Sequence, residues 1–60
     1  MFTAEDAFEA SEDGDPIMLA HDAAARICRD HDADLADFLT DCAITATHVD
    51  AAVLLGWLGY

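Results

Sequence analysis

The residues best equipped for chemistry in this 60-residue chain are two cysteines, Cys28 and Cys42, and three histidines, His21, His31 and His48. Cys28-x2-His31, followed after ten residues by Cys42-x5-His48, supplies two Cys and two His. Zinc takes these donors in tetrahedral structural sites. Cys28 and His31 are three apart, so on one helix both can face a single ion. The spacing lacks a C-x2-C or H-x3-H knuckle, and Cys is among the most buried residue types even when it binds nothing. One reading is therefore a zinc-stapled mini-domain with Cys28, His31, Cys42 and His48 as ligands. The favoured reading is two inert core thiols and no cofactor. A Cys28–Cys42 disulfide is a third reading, opposed by a cytoplasmic setting.

Acid–base catalysis has material but no arrangement. With 13 acids in 60 residues, no single carboxylate pair stands out. Ser11 is the only serine, and glycines at 14, 56 and 59 do not form a phosphate-binding loop. His21 and His31 fall on an apolar helical stripe, and a chain this short offers only a shallow pocket. No enzymatic activity is expected.

The same 13 acids stand against two Arg and no Lys, for a net charge of −11. Ten of the acids are Asp, and Ala supplies 13 of the 33 hydrophobic residues. Lysine depletion, Asp over Glu and an alanine-based apolar set together resemble the small acidic proteins of halophilic archaea. That resemblance implies an acidic surface whose task is solvation in brine. In molar salt the Debye length falls to about 3 Å, so self-repulsion largely disappears. Phosphate backbones and anionic lipid would be repelled at ordinary salt. The longest apolar run, residues 51–60, is half of the roughly 20 residues that cross a bilayer. Residues 1–10, MFTAEDAFEA, carry acids where a signal peptide carries Lys or Arg, so the expected location is cytoplasmic.

These groups need elements to hold them. Sixty residues make one domain that buries only about 60% of its unfolded surface, and folds this small often need a metal, a disulfide or a second subunit. Thr3-Ala4-Glu5-Asp6 reads as a capping box opening a short helix over 4–10, with Phe2 and Phe8 as its apolar contacts. Ser11 to Gly14 then forms a loop. Asp15-Pro16 reads as an N-cap with proline at the first helical position, opening a helix over 16–31 with Ile17, Ala20, Ala24, Ile27 and Cys28 on one stripe. Leu35, Phe38, Leu39 and Cys42 predict a helix over 33–42. Thr47-His48-Val49-Asp50 reads as a further capping-box opener for a helix to Leu58. No segment alternates long enough to predict a strand.

Residues 38–49 resemble the centre of a helix-turn-helix. Ala43 stands where the turn glycine is common, Ile44 and Val49 at the buried positions, and Thr45 and Thr47 where a recognition helix opens. The resemblance implies a tri-helical DNA-binding regulator with Arg26, Arg29, Thr45, Thr47 and His48 contacting DNA. The helix that would enter the groove has no Arg or Lys, whereas phosphate contacts supply much of DNA affinity. Nucleic acid is therefore not the expected partner.

Charge is uneven along the chain. Residues 1–15 carry six acids, 32–41 carry four, and 42–60 only Asp50. A last helix apolar on nearly every face must be covered on every face. The expectation is an all-α bundle of three to four short helices in one domain over 1–60. Residues 1–15 form an acidic segment with a short helix, and 16–60 form the helical core. The chain is expected to pair as a homodimer, or to meet a protein partner, through Val53, Leu54, Trp57, Leu58 and Tyr60. Its expected role is a non-enzymatic interaction or regulatory module, with the high-salt DNA-binding regulator and the zinc-stapled domain as alternatives.

Overall fold

The computed structural model describes residues 2–60. In chain order it contains α1 (Ala4–Glu12), β1 (Met18–Ala20), α2 (His21–Asp30), α3 (Leu35–Asp41), β2 (His48–Asp50) and α4 (Ala51–Leu58). The fold is mostly helical, but it is not all-α. The strands β1 and β2 form a two-stranded antiparallel sheet in which Leu19 stands opposite Val49 and Ala20 opposite His48.

The opening of α1 follows its sequence signal. The Thr3 hydroxyl accepts from the Asp6 N–H at 3.1 Å, and the Asp6 carboxylate accepts from the Thr3 N–H at 3.2 Å. Glu5 and Asp6 in the first turn also complement the positive end of the helix dipole. The helix runs two residues beyond the expected end and closes in a Schellman turn. Asp15 N–H donates to the Ala10 carbonyl, Gly14 N–H donates to Ser11, and Gly14 is left-handed at φ +82°. Pro16 comes directly after. Asp15-Pro16 is thus the stop of α1, since proline is common just beyond a helix C-cap, and not the N-cap of the next helix.

The predicted helix over 16–31 divides into β1 and the shorter α2. Leu19 and Val49 are both buried, and their pairing pulls residues 18–20 and 48–50 into extended backbone. Three residues per strand are too few to alternate visibly. Asp50, placed inside the opener read at Thr47–Asp50, is itself the N-cap of α4. Its carboxylate accepts from Ala52 N–H at 2.8 Å and from the Ser11 hydroxyl at 3.4 Å.

The other three helices end as α1 does. Ala33 N–H donates to Cys28, Ile44 N–H to Leu39 and Tyr60 N–H to Leu55, each across five residues. The left-handed residues at these turns are Asp32 at φ +57°, Ala43 at +52° and Gly59 at +106°. Ala43 therefore does occupy a tight left-handed turn. No recognition helix comes after it: residues 44–47 are non-helical and lead into β2. Ile44, Thr45, Thr47 and Val49 are β-branched and favour extended backbone over helix. The helix-turn-helix expectation is corrected on this point.

The core is small and alanine-rich. Ala7, Ala24, Cys28, Phe38, Ala51 and Leu54 are fully buried, with Leu19, Val49 and Leu55 nearly so. The three buried alanines come from α1, α2 and α4, and α1 packs on α4. With only a methyl group at these positions, short helices can approach closely. The acidic segment is accordingly part of the core through Ala7, while its carboxylates at Glu5, Asp6, Glu9, Glu12, Asp13 and Asp15 stay exposed.

Candidate functional site

The four potential zinc ligands are not gathered. Among the described residues no three His, Cys, Asp or Glu side chains stand together as a metal site. Cys28 is enclosed in the core on α2, whereas Cys42 is exposed at the end of α3, and both thiols are free. The disulfide reading fails on the same fact. His48 is exposed on β2, with its Nδ1 beside the Thr47 hydroxyl at 3.1 Å. His21 bridges two elements. Its Nε2 donates to the Ala46 carbonyl at 2.9 Å, tying the start of α2 to the loop before β2.

Burial pushes the Cys28 thiol above the ordinary thiol range, and the nearby Asp34 carboxylate adds to the effect. The folded chain thus favours the neutral thiol. That contribution to stability is fully present below the unfolded thiol pKa and is lost as pH rises through the raised folded value. Wild-type melting temperature is therefore expected to fall more steeply above about pH 9 than that of Cys28→Ala. A thiol reagent should modify Cys42 promptly in the native chain and Cys28 only after denaturant. Equal native rates at both would contradict the enclosed position of Cys28.

The residues expected at a DNA contact are dispersed. Arg26 and Arg29 are exposed on α2, Thr45 and Thr47 lie in the non-helical loop, and His48 is on β2. No helix presents them together. The C-terminal set also divides. Leu54 is fully buried within the chain's own core, so it is not available as a surface residue. Val53 is 47% exposed and Tyr60 61%, while Trp57 and Leu58 are half-buried. Trp57 packs on Phe38 with ring centroids 5.3 Å apart, and its indole N–H donates to the Asp41 carboxylate at 3.1 Å. What α4 leaves outside is a stripe of Val53, Gly56 and Trp57, at helical spacing and without a charge, whereas Tyr60 lies beyond the left-handed Gly59.

A feature that the sequence does not announce lies on the other side of Tyr60. An open cavity of about 420 Å³ has an apolar floor of Phe2, Ala4, Leu19, Ala23, Ile27 and Leu55, with Thr3, Arg26, Asp30, His31 and Tyr60 also lining it. Its α2 wall repeats at 23, 26, 27, 30 and 31, the spacing of one helix face. That repeat is the only local signal of the cavity. A helix begun at Pro16, five residues too early, hides it by assigning the neighbouring stripe to the core.

One corner of the cavity is tightly specified. His31 Nδ1 lies 2.9 Å from the Ile27 carbonyl, which can only accept. The proton is therefore on Nδ1, and in the neutral ring Nε2 accepts from the Tyr60 hydroxyl. The two rings meet edge to face at 5.2 Å. This bond fixes the last side chain of the chain against α2.

Compared with protein-family models, curated proteins and solved structures, the chain matches none. No helix among the described residues is long and apolar enough to cross a membrane.

Proposed function

We propose that the chain is a small non-enzymatic interaction or regulatory module adapted to concentrated salt, and that it pairs with a second copy of itself through the exposed stripe of α4. The observation that carries this reading is Gly56. A glycine inside a helix costs about 1 kcal/mol relative to alanine. Apart from its flanking residues and the backbone of its own helix, nothing among the described residues lies within 4 Å of where a Cβ on Gly56 would stand, so packing against the rest of the fold gives no reason for it. A second helix crossing closely at Gly56 gives one.

Charge supports the same occupant. The helices α1, α2 and α3 each carry acids and α4 carries none, so two copies meet least repulsion along their α4 faces. Such a pair should tighten as salt rises, because screening removes the remaining repulsion and apolar contact does not weaken. A contact between opposite charges would loosen instead.

Sedimentation equilibrium across rising KCl tests this. The expected result is a mass near twice 6.4 kDa in molar KCl, returning to that of one chain for Val53→Glu. Gly56→Ala should weaken pairing by about tenfold while raising the stability of the dilute single chain by about 1 kcal/mol. A wild type that stays at one-chain mass in molar KCl overturns the pairing. So does a Val53→Glu variant that still pairs.

A further inference from the structure

We propose that the cavity between α2 and the end of α4 binds a small apolar amino acid in its zwitterionic form. The volume, about 420 Å³, lies within the roughly 300–1,000 Å³ range of small-ligand sites. It exceeds what a single apolar side chain fills. The floor is made by Phe2, Ala4, Leu19, Ala23, Ile27 and Leu55, and the Thr3 hydroxyl that also lines the cavity already accepts from the Asp6 N–H.

The choice of ligand class comes from the edge. Arg26 and Asp30 both line the cavity and both are exposed. They are four apart on α2, so their Cβ atoms stand about 5–6 Å from each other. Among the described residues they form no ion pair with one another. A simple apolar anion would meet Arg26 favourably and be repelled by Asp30. An apolar amine would meet the reverse. A molecule carrying a carboxylate and an ammonium one carbon apart satisfies both, and its side chain then enters the apolar floor. With the His31 ring neutral, the Tyr60 hydroxyl donates to Nε2. Its oxygen keeps acceptor capacity, which suits an ammonium and not a second carboxylate.

Arg26 and Arg29 are the only cations in the chain apart from titrating groups, and only Arg26 lines the cavity. Direct contact pairs of this kind persist in brine, where longer-range attraction is screened. None of Val53, Gly56 and Trp57 lines the cavity and the site needs no second copy, so it stands or falls independently of the dimer.

The test is a titration of the isotope-labelled chain in molar KCl, monitored by backbone amide shifts. Three probes share one apolar body: L-leucine, isocaproate without the ammonium, and isoamylamine without the carboxylate. Leucine is expected to give saturable shifts at Ala23, Ile27 and Leu55, with isocaproate and isoamylamine each at least tenfold weaker. Arg26→Gln and Asp30→Asn should each weaken leucine about tenfold. Arg29→Gln, on the same helix outside the cavity, should leave it unchanged. All three substitutions are at exposed positions, and circular dichroism of each variant verifies the fold. Absence of saturable leucine shifts overturns the proposal. Equal binding of leucine and isocaproate, or leucine binding untouched by Arg26→Gln, overturns it as well.

Discussion

Phe38→Ala is expected to remove most of the chain's stability, about 3–5 kcal/mol. A 60-residue domain holds only about 3–9 kcal/mol in total at the usual 0.05–0.15 kcal/mol per residue. Phe38 is the largest fully buried side chain and the only buried residue of α3. Its ring meets Trp57 at 5.3 Å and 59°, and the Trp57 indole is held by Asp41 from the same helix. Removing the Phe38 ring leaves α3 held by half-buried Leu35 and Leu39 and by the Asp41–Trp57 hydrogen bond, with a cavity behind it. Urea unfolding monitored by fluorescence of Trp57, the single tryptophan, reads the loss directly. Phe38→Leu, which keeps most of the volume, should cost less than half as much. A Phe38→Ala loss below about 1 kcal/mol would mean that α3 is not packed as described.

Ala43→Gly is expected to act in the opposite direction, raising stability by about 1 kcal/mol. Ala43 holds φ +52°, a conformation that costs an L residue with a Cβ about 1–2 kcal/mol and costs glycine nothing comparable. The greater freedom of glycine in the unfolded chain returns part of that gain. For a domain this small the net change should lift the melting temperature by about 4–8 °C. Two of the four equivalent turns already hold glycine, at Gly14 and Gly59. A lower melting temperature for Ala43→Gly would show that the left-handed turn is not retained in solution.

The readable parts of this fold are the parts whose cause is local. Thr3 and Asp6 close a hydrogen-bonded box within four residues, so the start of α1 is legible. The apolar set Leu35, Phe38 and Leu39 likewise places α3 to within two residues. Misreadings arise where one local pattern serves two ends. Asp-Pro can open a helix, but after Gly14 at a left-handed turn it ends one. Thr47 to Asp50 has capping chemistry, yet only Asp50 uses it. The strands have no local cause. Leu19 and Val49 become extended because each buries the other from far along the sequence, and three residues carry no alternation. The cavity is hidden for a related reason. Arg26 and Asp30 read as ordinary surface charges until β1, Phe2 and Leu55 supply the apolar floor beside them. Leu54 shows the converse limit: an apolar helix announces that it will be covered, but not which of its faces its own chain will cover.

The β1–β2 pairing also imposes an order of assembly. Ala20 meets His48 only after a stretch of about 27 residues has closed into a loop, an entropic cost that contacts within α2 and α3 do not bear. Helices whose contacts are close in sequence form quickly, and distant strand pairing comes later. Because α4 begins at the residue after β2, its docking on α1 and the closing of that loop belong to the same long-range step. Until then Leu54, Leu55 and Trp57 lie open together on an uncharged segment. The slow step of folding is therefore also the interval in which this chain is most exposed to aggregation.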